Sequence, residues 1–379
     1  MRKLDQVGSF LRPAKLKTAR VDFANGKINA EQLRDIENEC IKDLLKKCDE
    51  NNLYYLTDGE FKRSWWHLDF YWGFSGVEKI KTEKGYVFKG VVTRPEGLRV
   101  TGKIECKEHP FLRNFADLVA TAKELNIDTN RLKLTIPSPA MFLNSLFAGS
   151  NHAISNENIK AEYYKGNFAA IKKDILDAYA EFYKKFYEIG GRYIHLDDVS
   201  FGSFCDAEVR NFLSQNGDDA GKVVDEYVDF LNESLKTLPK GITTSIHVCR
   251  GNYRSCFYAS GGYEFVAKKL FGELNVDKFF LEFDDDRSGD FTPLRFIKNQ
   301  TVVLGLLTTK VEANPSLETL KARAVEAAKI ISPKQIEFST QCGFSSTEEG
   351  NEISEETQWQ KIRLLNELNA SLEAEGFFN

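Results

Sequence analysis

His247-Val248-Cys249 sets an imidazole and a thiol two residues apart at the end of the run Thr243-Thr244-Ser245-Ile246. In an extended backbone, residues two apart point to the same side, so both groups can reach one ion. Glu282 ends a second run, Lys278-Phe279-Phe280-Leu281, and Cys342 follows a third, within Thr340-Gln341-Cys342-Gly343-Phe344. One nitrogen, two sulfurs and one oxygen form a donor set that zinc accepts in a tetrahedron, and soft thiolates bias such a site against magnesium and calcium. Taken singly, each residue is weak evidence. His-x-Cys has many chance matches, and a lone cysteine is more often packed core than ligand. Cys40, Cys48, Cys106, Cys205 and Cys256 read as core thiols of a reducing compartment. The recurrence of ligand types at the ends of β-type runs is what points to a metal centre.

Those runs belong to a longer series. Tyr54-Tyr55-Leu56-Thr57, Leu132 to Ile136, Tyr193 to Leu196, Val302 to Leu306 and Gln335 to Ser339 are short and apolar, as buried parallel strands are. Helical stretches separate them: Ala30 past Cys40 to Leu45 with Asn29 as its N-cap, Ala169 to Tyr187 ending at Gly190-Gly191, Val223 to Leu238, and Leu317 to Ile331. Alternating strand and helix over 379 residues predicts a (β/α)8 TIM barrel, with a doubly wound open sheet as the second choice. Residues 73–105 alternate differently and carry Gly and Pro, so they read as a β-hairpin insertion. In such a barrel the C-terminal strand ends converge on one mouth. That mouth would collect Asp58-Gly59-Glu60, Asp197-Asp198, His247, Cys249, Glu282 and Cys342.

Composition narrows the classes further. Hydrophobic residues make up 42% and charged residues 28%, with 29 Phe and 14 Tyr, which excludes low-complexity disorder and predicts an aromatic-rich core. A net charge of −5 and a pI near 5.8 argue against nucleic acid or an anionic membrane as partner. No run approaches the roughly 18 to 20 apolar residues of a membrane helix, and Met1-Arg2-Lys3-Leu4-Asp5 lacks the apolar core of a signal peptide. The expectation is a soluble, cytoplasmic protein.

Six landmarks then fall in order along the chain: Val7-Gly8-Ser9-Phe10, Asp58-Gly59-Glu60-Phe61-Lys62-Arg63, Ile194-His195-Leu196-Asp197-Asp198, His247-Val248-Cys249, Leu281-Glu282 with Asp286-Arg287-Ser288, and Gln341-Cys342-Gly343. In these the sequence resembles the catalytic domain of cobalamin-independent methionine synthase, over most of its length. Full-length members carry two barrels. This chain is long enough for one, so residues 1–379 look like a stand-alone catalytic domain.

The resemblance implies zinc as cofactor, held by His247, Cys249, Glu282 and Cys342, and homocysteine as the thiol that receives a methyl group. It implies Glu60 and Asp197 on the substrate ammonium and Ser9 on its carboxylate. Glu282, the hardest ligand, is the one expected to yield to the incoming thiol. The bland readings are an ion pair of Glu60 with Lys62 or Arg63, a helix cap for Asp197, and a plain turn for Ser9. Asp198 stays open between partner of His247 and second ammonium ligand.

The donor side departs from the family. Met141-Phe142-Leu143-Asn144-Ser145-Leu146-Phe147 lacks the family's pterin-stacking Trp, leaving Phe142, Phe147 or the cluster Trp65-Trp66-His67 and Phe70-Tyr71-Trp72 as aromatic platforms. The family's leaving-group His is replaced by Thr308-Thr309-Lys310-Val311-Glu312, which makes Lys310 the candidate catalytic acid, with Glu312 or water behind it. Arg12, Lys15 and Lys17 could receive a donor's carboxylates or form a solvated face. The expected donor is a methyl-folate or a methyl-corrinoid protein. A zinc thiol alkyltransferase acting on another thiol or an epoxide-type electrophile, a hydrolase or lyase using the carboxylates, and a non-catalytic zinc-binding barrel are the alternatives. The oligomeric state is open, a homodimer included.

Overall fold

The computed structural model describes residues 3–147, 159–165 and 167–379. Ten strands are formed: β1 Ser75–Lys81, β2 Val87–Phe88, β3 Val91–Val92, β4 Glu96–Glu105, β5 Leu134–Pro137, β6 Tyr193–Asp198, β7 Thr243–Val248, β8 Lys278–Glu282, β9 Thr301–Leu307 and β10 Ile336–Thr340. β5 to β10 make one sheet, each paired in parallel with its neighbour in sequence. Two further segments extend it beyond β5. Leu56 bridges Leu132 in parallel and Leu4 bridges Leu53 in parallel, which brings the count of parallel segments to eight. The first meets the far side of the sheet, where Phe344 N donates to Ser9 O at 3.0 Å. The protein is a TIM barrel.

The run at Tyr54 to Thr57 forms a shorter ladder than its composition suggests. It is still held on both sides, with Tyr54 N donating to Leu4 O at 3.0 Å and Lys133 N to Leu56 O at 2.8 Å. β5, β6 and β8 are buried at every position, as strands covered on both faces must be. Helices lie between the strands. The one at Ala30–Glu50 opens on a capping box, the Asn29 side chain and the Gln32 side chain each taking the other's backbone N–H. The helices Phe168–Glu188 and Ala220–Leu235 follow β5 and β6.

The insertion forms as expected. β1 and β4 pair antiparallel with an irregularity between Ser75 and Val77, and β2 and β3 form a small second hairpin at the tip. Arg94 ties this insertion to the loop after β10 through Glu348 at 2.8 Å and Glu349 at 2.9 Å. It therefore overhangs the C-terminal mouth. No helix among the described residues is long and apolar enough to cross a membrane.

Candidate metal centre and cavity

β7 and β8 deliver His247, Cys249 and Glu282 side by side, and the turn after β10 delivers Cys342. One donor atom from each lies within 4.8 Å of all the others, and all four side chains are buried. Cys249 Sγ is 3.8 Å from Cys342 Sγ and 3.7 Å from Glu282 Oε1, and His247 Nε2 is 3.9 Å from the same oxygen. Two features permit this approach. Tyr263 Oη donates to Val248 O at 2.9 Å and accepts from Glu282 N at 2.8 Å, so it clamps the two strand ends together. Gly305, opposite Glu282 on β9, would bring a Cβ to 2.6 Å from Gln341 Cα; only glycine lets the turn bearing Cys342 come this close.

The surroundings hold the donors in orientation. His247 Nδ1 meets Asp197 Oδ1 at 3.0 Å, leaving Nε2 to the cluster and to Gln341 O at 3.0 Å. A carboxylate on the far nitrogen of a ligating histidine fixes its tautomer and raises its basicity. Glu282 Oε1 faces the sulfurs. Its Oε2 accepts from Arg250 N at 3.1 Å and lies 3.6 Å from the Arg250 guanidinium and 3.8 Å from that of Arg287.

The site is rich in negative charge. Burial alone would lower His247, yet the Asp197 hydrogen bond and the Cys342, Asp197 and Glu282 charges raise it to about 9. The hydrogen bond shared by the two sulfurs raises Cys249 and lowers Cys342. For Glu282, burial pushes upward but Lys310, Arg287, Arg250 and His247 together bring it below the usual carboxylate range. A soft divalent cation fits this donor set and would balance its charge. His195, Asp197 and His247 form a second group of closely placed ligand atoms. It lacks sulfur, and Asp197 there is already committed to His247, so it reads as support for the first.

A cavity of about 320 Å³ opens beside the cluster, at the small end of ligand sites, which span roughly 300–1,000 Å³. Asp197, His247, Cys249 and Cys342 line it, together with Ser9 and Glu60. Glu60 has a positive φ of 62° and is 3% exposed. Its Oε1 accepts from Thr135 Oγ1 at 2.8 Å with Arg63 at 3.4 Å, while its Oε2 is buried without a partner. Such strain and an unanswered carboxylate oxygen mark a group kept for a ligand. Burial, opposed by Arg63 and reinforced by Asp197, raises its pKa. Asp197 moves down despite burial, because His195 and His247 bond to it. Ser9 Oγ accepts from Ser345 N at 3.1 Å.

Other sequence expectations are redistributed. Asp198 turns away from His247: its Oδ1 accepts from Ser200 N at 2.7 Å and Phe201 N at 3.2 Å, and Ser138 bonds its other oxygen. Glu312 binds Ser354 N at 2.7 Å at the start of the helix Glu355–Ala374, a capping role remote from the cluster. Lys310 Nζ is buried without a hydrogen bond and does not line the cavity, although its charge acts on Cys249, Cys342 and Glu282. Arg12 belongs to no basic cluster. It is buried and clasps Glu60 O at 2.5 Å, Arg63 O at 3.0 Å and Ser345 Oγ at 2.7 Å, while Lys15 pairs with Glu39. Phe142 stacks on Tyr71 at 4.3 Å in the core; Trp65, Trp66, His67 and Phe147 are the aromatic candidates that face the cavity. Cys40, Cys48, Cys106 and Cys205 are buried as expected, and Cys256 is half-buried.

A solved structure from Listeria monocytogenes, named a putative vitamin-B12-independent methionine synthase, superposes with a TM-score of 0.77 at 33% identity, covering 98% of this chain and 99% of that one. The chain belongs to the cobalamin-independent methionine synthase family. Its curated relatives include the uncharacterized proteins YxjH and YxjG of Bacillus subtilis, 41% identical over 95% of the chain and 92% of YxjH, and 38% over 97% of the chain and 93% of YxjG. The methionine synthase of Sulfolobus acidocaldarius is 24% identical over 89% of the chain and 84% of that protein. A B12-independent methionine synthase from Shewanella, solved with selenomethionine, shares the fold at 16% identity and a TM-score of 0.70, covering 98% of each chain. No family model matches the sequence. The methionine-synthase family thus supplies the barrel, while the polar partners of His247 and Glu282 are read from this chain's own geometry.

Proposed function

We propose that this protein is a zinc-dependent methyltransferase that converts homocysteine to methionine. The observation that carries the reading is the meeting of His247, Cys249, Glu282 and Cys342 within 4.8 Å, with His247, Cys249 and Cys342 on the wall of a cavity. Zinc held there would lower the pKa of a substrate thiol, which near 8.5 leaves a free thiol mostly protonated at pH 7. A structural zinc is closed off by its ligands, whereas here three of the four ligand residues face open space.

The chain's own residues do the rest. Glu60 Oε2, buried and unpartnered, accepts the substrate ammonium, and Asp197 adds its charge from the same wall while orienting His247. Ser9 Oγ, pinned by Ser345 N, offers its proton to the substrate carboxylate. Arg250 and Arg287 hold Glu282 Oε2, so this carboxylate would keep its partners if Oε1 gave way to the substrate thiol on a bound zinc. The Lys310 charge acts on Cys249 and Cys342 and favours their thiolate forms; its role as proton source, expected from the sequence, would require it to reach the cavity.

The methyl donors that family membership suggests are a methyl-folate and a methyl-corrinoid. The test is methionine formation from L-homocysteine with 5-methyltetrahydrofolate or methylcobalamin, before and after 1,10-phenanthroline. Turnover lost on chelation and restored by zinc is the predicted result. Turnover that survives chelation would assign the chemistry to the carboxylates instead.

A further inference from the structure

Away from the ligand cluster the cavity wall is aromatic. Trp66 and His67 line it from the segment before β1, Tyr86 and Phe88 from the insertion, and Tyr253 and Tyr258 from the loop after β7. The rings adjoin: centroids are 4.5 Å apart for Trp66 and His67, 5.8 Å for His67 and Tyr86, 5.6 Å for Phe88 and Tyr253, and 6.0 Å for Phe88 and Tyr258.

The charge of the lining is one-sided. Glu60, Asp197 and Asp218 are carboxylates, and no lysine or arginine is among the described residues that line the cavity. Three side chains on this wall carry buried polar atoms without a partner, Glu60 Oε2, His67 Nδ1 and Asn252 Oδ1, at 3%, 4% and 6% exposure. Burial holds His67 down to about 3, so its ring is neutral and contributes no positive charge.

Building on the thiol methyltransferase reading, we propose that this wall binds the methyl donor, and that the donor is a methylated onium compound, a sulfonium or a quaternary ammonium. Aromatic faces attract such cations, and Asp218, the lining carboxylate that the thiol substrate does not use, adds to the attraction. The glutamate carboxylates of a folate would find no lysine or arginine among the described residues of this wall to receive them.

The chemistry balances without an acid. The substrate thiol gives its proton to solvent. Its sulfur attacks the methyl carbon, a carbon–sulfur bond forms, and the bond from methyl to the onium atom breaks. The electron pair stays on the leaving atom, which departs as a neutral thioether or tertiary amine. Thiolate and onium charges cancel, so the leaving group needs no proton, and the position of Lys310 off the cavity wall is no handicap. A methyl-folate leaves as an amine that must be protonated.

The experiment uses the zinc-loaded full chain with L-homocysteine and four donors: S-methyl-L-methionine, glycine betaine, 5-methyltetrahydrofolate and methylcobalamin. The first two separate a sulfonium from a quaternary ammonium source. Titration of tryptophan fluorescence with S-methyl-L-methionine, and with tetramethylammonium as a non-reacting probe, reads binding without turnover. We expect methionine from at least one onium compound and a saturable fluorescence change. Tyr86→Ala, at a side chain 41% exposed on the insertion, should raise the donor KM tenfold or more while zinc content and homocysteine KM stay within twofold. Asp218→Lys should raise the donor KM at least threefold. Absence of both turnover and fluorescence change with the onium compounds, in protein that binds zinc and homocysteine, overturns the inference alone. Protein that binds no zinc and no homocysteine overturns the reading beneath it.

Discussion

At the N-terminal ends of the strands, Asp5 meets Lys133 at 2.5 Å and Tyr193 Oη at 2.9 Å, and Lys278 meets Glu337 at 2.6 Å. At the C-terminal ends, Glu282, Cys249, Cys342 and Asp197 gather around His247 with Arg250 and Arg287 set to one side. Both ends bury charge. The lower set neutralises itself, acid against base, and is closed by hydrogen bonds. The upper set collects donors of one kind and leaves Glu60 Oε2 and Lys310 Nζ unpaired. The difference separates charge buried for the fold from charge buried for a ligand, as expected for the two faces of a barrel enzyme.

The comparison is broken most directly at the upper end. Cys342→Ala should abolish zinc retention and lower methionine formation by at least about 10³-fold, about 4 kcal/mol of transition-state stabilisation, with the thermal midpoint of the metal-free protein nearly unchanged. Zinc analysis beside a melting curve checks this. At the lower end the pattern should reverse. Asp5→Ala strands Lys133 in the core and should cost about 3–5 kcal/mol in urea unfolding, with zinc content per folded chain unaltered.

Asp197→Asn sharpens the contrast, because Asp197 stands between the roles of substrate ligand and orienting partner. Its bond to His247 predicts zinc affinity weaker by about 10–100-fold, measured by chelator competition, in addition to a higher homocysteine KM. A raised KM with unchanged zinc affinity would assign it to the substrate alone. The smallest effect is at Glu312. Glu312→Gln alters only the start of the helix Glu355–Ala374, so turnover should stay within about twofold.

Much of the site was legible because it is written locally. His247 and Cys249 are two apart, and each ligand closes or follows an apolar run, so strand periodicity together with the family resemblance points to them at the mouth. What depends on pairing between strands was not legible. Asp197 faces His247 because β6 and β7 pair them in register, and nothing in Leu196-Asp197-Asp198 says which aspartate turns inward. A signal existed in His195-x-Asp197, whose spacing puts both side chains on one face. Tyr263, which clamps β7 to β8, lies in an unremarkable loop. Arg12 read as part of a basic cluster because its carbonyl partners at Glu60, Arg63 and Ser345 are distant in sequence. Trp65 to Trp72 offered aromatics on every side of a short helix, and only tertiary packing sends Phe70 and Tyr71 inward while Trp66 faces the cavity.

On the proposed function, the four-donor cluster of His247, Cys249, Glu282 and Cys342 holds a zinc ion that takes up the substrate thiol. Zinc content together with zinc X-ray absorption, recorded with and without L-homocysteine, tests it most directly. The expected result is about one zinc per chain, bound by two sulfurs and two lighter atoms, with one oxygen replaced by sulfur when the thiol is added. A protein that retains no zinc, or a coordination sphere unchanged by homocysteine, would contradict it.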